Sequence, residues 1–301
     1  MSAKRVVPSV YVFSAPPWDD TQESVLLAAL PYFTSVASTV KVDDGLAIKR
    51  LTDADVEHFR EAKSIDRIMD ANFAIQSKQG AGSQEAIRQE ARTQFDRVIL
   101  ALRLIHSGPV EMGHCVAYQP KVARSEHDPW PISFIKSPRI PPNPVGFLGS
   151  PGRYELKTSQ TAQLRKLYGG ALLNLGGIAS VALRRFEQAY VRSLAVDRLI
   201  DYWVALEALF SDGGGEISYK LAMRIPHFMM DHSSGRFFLY RCLKKAYEVR
   251  SEVVHGRGTK AKIRVAEELA REALRACLRR LTLEGNMPKS AEIDAIIAEG
   301  R

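Results

Sequence analysis

The chain has 301 residues, of which 46% are hydrophobic and 25% charged, an ordinary globular composition long enough for two domains. No apolar run is long enough to span a bilayer, and three cysteines (Cys115, Cys242, Cys277) are too scattered for a disulfide framework or a zinc knuckle; we read them as buried small hydrophobes in a reducing compartment. The net charge of +8 lies wholly in one half: residues 1–150 carry 17 basic and 17 acidic side chains, residues 151–301 carry 25 and 17.

The opening MSAKRVVPSVYVFSAPPWDD sets basic residues before an apolar stretch that alternates and contains prolines, unlike a secretory signal, so the expected location is cytoplasmic. RVVPSVYVF reads as a strand. STVKV and LAIKRL read as a hairpin joined at Asp43, Asp44 and Gly45. TDADVEHFREA opens with cap-type residues and reads as a short helix. From Gln84 to His106 the spacing of Ile87, Ala91, Phe95, Val98, Leu102 and Ile105 predicts a longer one, stopped at HSGP. VEMGHCVAY and ISFIK are short strand candidates. The proline-rich KSPRIPPNPVGFLGSPGRY reads as a linker, because each proline removes a donor and restricts its predecessor.

Beyond the linker the pattern is helical. Leu164, Leu167, Leu175, Ile178, Leu183, Phe186 and Tyr190 mark one or two helices interrupted near two glycine pairs, and LAVDRLIDYWVALEALF, apolar nearly all round, is the expected central helix. GEISYKLAMRIPHFMM follows a triple-glycine turn, with Pro226 expected to kink or end it. SSGRFFLYRCLKKAYEVRSEVVHG starts at Ser233 and Ser234, read as caps, and stops at Gly256 and Gly258. Ile263, Ala266, Ala270, Ala273, Cys277 and Leu281 stripe a long helix, and a short amphipathic one begins at Ser290. The expected fold class is therefore α+β: a mixed α/β domain over residues 1–150 followed by an all-α bundle over 151–301.

Between Arg241 and Arg264 eight basic residues face only Glu248 and Glu252, which points to a polyanionic partner. Arg250 and His255 stand out within this segment. An arginine offers a permanent planar fork for phosphate, and a histidine trades a proton near neutrality. On an undisturbed helix they would lie about 140° apart. The glycines predict that the helix ends near Val254 and that His255 leaves the helical track, with room to swing toward the arginine.

VDRLIDYWVALEALF, EISYKLAMR and LKKAYEVRSEVVHG, in that order and spacing, resemble the HEPN superfamily and within it the ApeA-like HEPN domains of prokaryotes. The resemblance covers about residues 155 to 285 and implies a helical bundle bearing an R-x4-H motif, here Arg250 and His255. It implies a metal-independent endoribonuclease in a defence or toxin system, with two motifs forming one cleft in a homodimer. Where active members often carry Asn, Asp or His after the arginine, this chain has Ser251, a hydroxyl that still donates and accepts.

RNA brings its own 2′-OH nucleophile, so the protein must move protons and hold phosphoryl charge; His255 is assigned the first task and Arg250 the second. Glu207, in register with Ile200, Trp203 and Phe210, either orients Arg250 or pairs with another arginine at the bundle's edge. Tyr247 and Glu252 flank the motif as contacts to RNA or a second subunit, or as packing. Lys244, Lys245, Arg257 and Lys260 are the expected RNA-binding cations. No metal-ligand or phosphate-loop motif occurs, and neither cofactor nor metal is expected. His58, His106, His114, His127, His227 and His232 have no partners at functional spacing. The expected partners are RNA, a second copy of the chain and a regulatory partner at the N-terminal domain. The competing expectation is a non-catalytic HEPN-type module that binds RNA or a protein.

Overall fold

Strand β1 (Ser24–Pro31, SVLLAALP) is apolar at nearly every position because both its faces are covered. In the computed structural model, which describes residues 18–61, 71–108, 110–120, 133–135, 153–170, 177–231 and 233–300, Leu26, Ala28 and Leu30 face the main core. Val25, Leu27 and Ala29 face a smaller cluster closed by Phe59. The strand read in RVVPSVYVF and most of the proline-rich linker lie outside the described residues.

After β2 (Phe33–Ser35), the hairpin forms as β3 (Thr39–Asp43) and β4 (Leu46–Arg50), with Gly45 at φ 70°, where a Cβ would meet the Lys78 carbonyl oxygen at 3.0 Å. Helix α1 (Asp53–Glu61) is opened by Thr52, whose backbone and hydroxyl both donate to Asp55. Then come β5 (Ala71–Gln79), α2 (Gln84–Ile105, capped by Ser83), β6 (Cys115–Tyr118) and β7 (Ser133–Ile135). The six-stranded sheet has the order β3-β4-β5-β1-β6-β7 with every neighbour antiparallel. Helix α2 covers one face and α1 the other.

Strand β8 (Tyr154–Leu156) lies parallel to β2, and Tyr154 donates its hydroxyl to the Leu102 carbonyl at 2.7 Å. The helices that follow are α3 (Thr161–Tyr168), α4 (Ile178–Val191), α5 (Ala195–Phe210), α6 (Ile217–Met229), α7 (Arg236–Val254), α8 (Lys260–Glu284) and α9 (Ser290–Ala298). Helix α5 is the central one, packed by α4, α6, α7 and α8, with Leu199, Tyr202, Trp203, Leu206 and Phe210 all buried. Each such side chain contributes about 1.5–3 kcal/mol of burial. The predicted stripe of α8 is buried throughout.

Three local readings are corrected. Neither Ser233 nor Ser234 caps α7; Gly235, at φ 89°, precedes it without a side-chain cap. Helix α6 continues through Pro226 to Met229, because the proline falls in its last turn, where one lost bond is tolerable. Ile178 is 60% exposed, being the first residue of α4. The chain is α+β, and among the described residues no helix is long and apolar enough to cross a membrane. Arg165 of α3 donates to the Lys41 carbonyl on the edge strand β3 at 2.9 Å, joining bundle to sheet, and Arg275 of α8 donates to the Ile105 carbonyl at the end of α2 at 2.8 Å.

Candidate functional site

Tyr247 and Arg250 are three residues apart on α7 and so share the side that meets α5. Glu207, on the last turns of α5, receives both. The Tyr247 hydroxyl donates to Glu207 Oε1 at 3.1 Å, and Arg250 Nη2 lies 3.3 Å from the same oxygen. The guanidinium carbon sits 5.4 Å from the Tyr247 ring centre, and the buried Trp203 meets that ring edge-on at 5.0 Å. Burial, and then the Glu207 charge, push the Tyr247 hydroxyl above its ordinary pKa, with Arg250 pulling the other way. The proton therefore stays on Tyr247 as the donor to Glu207.

The Arg250 and Glu207 side chains are each 24% exposed. Arg250 Nε is buried with no hydrogen-bond partner. One carboxylate contact on a five-donor fork leaves most of the donor capacity of this cation unspent.

Helix α7 ends as the sequence predicts. Gly256, at φ 72°, donates to Val253 at 2.9 Å and Arg257 donates to Glu252 at 2.8 Å, the paired bonds of a Schellman closure that requires a left-handed residue after the cap. His255 is that cap, with φ −92° and ψ 17°. Its ring is exposed and makes no hydrogen bond, ion pair or ring contact with any described residue. No hydrogen bond, ion pair or ring contact joins His255 to Arg250, so the chain by itself does not bring the two motif residues together.

Around them, Ser251 is exposed and its carbonyl accepts the His255 amide at 3.3 Å. Glu252 faces Lys262 at 4.0 Å. Lys244, Lys245, Arg257 and Lys260 are all exposed, and none forms an ion pair with a described residue. Among the described residues no group of three His, Cys, Asp or Glu side chains could hold a metal ion. His106 stacks on Tyr154 with its ring nitrogens at carbonyls, His227 Nδ1 lies 2.8 Å from the Met223 carbonyl, and His58 stacks on Tyr118. His114 is buried next to Cys115, whose thiol is pushed up to about 12 by burial. Cys277 is also buried and Cys242 half-buried; His127 and His232 lie outside the described residues.

Two features escaped the reading of the sequence. Trp203 backs the Tyr247 ring, a contact that helical register alone does not reveal. A groove of about 670 Å³ runs between α7 and α8, lined by Ala246, Val249, Ala261, Val265 and Leu269, with Glu252 at its wall. Val265, 70% exposed, lies off the buried stripe of α8, and that departure was the available signal. No protein-family model, curated protein or solved structure matches the chain.

Proposed function

We propose that the chain is a metal-independent endoribonuclease of HEPN type, a prokaryotic defence or toxin-like effector whose N-terminal domain senses a trigger or restrains the nuclease. The observation that carries this reading is Arg250 at the surface with one partial partner, five residues before an exposed histidine whose ring is unengaged. In the reaction the RNA 2′-OH attacks the adjacent phosphorus and the bond to the 5′ oxygen breaks, leaving a 2′,3′-cyclic phosphate and a 5′-hydroxyl. His255 takes or gives the proton, Arg250 holds the charge gathering on the phosphoryl oxygens, and Glu207 with Tyr247 fixes the guanidinium.

One histidine per chain serves poorly as both acid and base in one turnover. The active form is therefore a homodimer in which two motifs face one cleft, and the apolar groove alongside the motif helix supports such a contact. Total RNA incubated with the protein in EDTA tests the reading. Cleavage is expected to survive chelation and to vanish in His255→Ala. Loss of activity in EDTA with rescue by magnesium, or cleavage by a strict monomer, would count against it. The separation of His255 from Arg250 within a protomer favours the second reading, a binding module, and undiminished cleavage by His255→Ala would select it.

A further inference from the structure

Near its start α7 carries a group of rings that the nuclease chemistry does not use. Phe237 is 72% exposed and lies nearly parallel to Tyr240, with ring centres 6.3 Å apart and planes 20° apart. Tyr219 of α6, 49% exposed, meets Tyr240 edge-on at 6.3 Å. Phe237, Tyr240, Lys244, Tyr247 and Ser251 succeed one another at spacings of three and four residues, so they run down one side of the helix. That line begins at the aromatic group and ends beside Arg250, about 20 Å along the axis. Arg241 and Lys244, exposed and without an ion pair among the described residues, accompany it.

Exposed rings would be an aggregation liability on a solvated face, and unpaired cations beside them would not bind an apolar protein partner well. Exposed rings followed along the helix by free cations match single-stranded nucleic acid, whose bases stack and whose phosphates are anionic. We propose that Phe237 and Tyr219 form a stacking platform for unpaired bases of RNA, which then runs along α7 past Lys244 to the motif. This rests on the ribonuclease reading and adds a substrate class to it: single strands, threaded from the start of α7 toward its end. Duplex RNA, with its base faces already stacked, would gain nothing from the platform.

The test is equilibrium binding of a labelled single-stranded RNA and a blunt duplex of equal length, measured in a His255→Ala background. Because binding is read there with cleavage slowed, failure of the platform and failure of the nuclease reading remain separate results. Phe237→Ala and Tyr219→Ala should each weaken single-strand binding roughly five- to a hundred-fold, the range for one lost base stack. Phe237→Trp should retain affinity, and duplex binding should not respond to any of the three. Phe238→Ala serves as the control: that ring is 73% exposed but turned about 100° round the helix, and its loss should leave affinity unchanged. Phe237→Ala binding single strands as tightly as its parent would overturn the proposal, as would equal losses in Phe238→Ala. A dimer in light scattering that Phe237→Ala dissociates while RNA affinity holds would overturn it in favour of a protein interface.

Discussion

Helix α5 holds an arginine–carboxylate pair near each end, and the two are built differently. Near its start, Arg198 grips Glu267 of α8 with two donors at 2.7 and 3.1 Å, and its third nitrogen reaches the carbonyls of Arg192 and Ser193. Both side chains are at most a tenth exposed. Near its end, Glu207 takes a single 3.3 Å contact from Arg250, which keeps a buried Nε without a partner. The first pair uses four of the five donors of Arg198 and cross-links two helices. The second is held in position with donors to spare, the condition expected of a cation that must receive a phosphate.

That contrast can be broken or sharpened by substitution. The largest effect should come from Glu267→Ala, which strands a buried cation and should cost about 3–5 kcal/mol in denaturant unfolding. Arg250→Ala should cost about 1 kcal/mol or less, as for a pair in contact with water. Equal losses would abolish the distinction. Next, His255→Ala should slow cleavage by about 10²- to 10⁴-fold while barely changing RNA affinity, read as single-turnover rate against binding on one short RNA with circular dichroism as the folding check. Smaller still, Arg250→Lys should recover binding but only part of the rate, since a point charge does not reproduce the planar fork.

The smallest effect at working pH concerns another arginine, the buried Arg224. Arg224 bonds Asp212 and Asp294, anchoring α9, and holds both carboxyls below their ordinary pKa. A folded pKa below the unfolded one means that this stabilisation is complete above about pH 4 and is lost as pH falls through the depressed folded value. Hydrogen-exchange protection factors across residues 290–298, which remove the intrinsic pH dependence of exchange, should therefore be flat near neutrality and fall only in acid. A fall centred near pH 6 would mean that other groups hold α9.

How much of this was legible follows from how each signal is written. Helices α2, α5 and α8 each bury a stripe or a whole barrel of side chains, so period gave them away, whereas α7 buries Leu243 and Ala246 and was legible from the glycines that end it. The hairpin was legible from its Asp-Gly turn. Strands β1 and β5 were missed, since a strand covered on both faces loses the alternation that marks an exposed sheet, and ANFAIQSKQ mixes polar and apolar residues besides. At the site, the end of α7 could be read from Gly256, whose left-handed backbone the closure needs. The pairing of Glu207 with Arg250 was one of two open alternatives, because register places a carboxylate on a face without saying which of many arginines meets it.

The contact between Arg165 and Lys41 has a consequence for synthesis. Strand β3 is an edge, and an edge offers unpaired backbone groups to any passing strand. Arg165 occupies one of those carbonyls from 124 residues further along the chain. While the ribosome is still making the intervening residues, the sheet can form but its edge stays open. Translation that pauses before α3 should thus yield an aggregation-prone nascent chain, and release of the completed bundle should cure it.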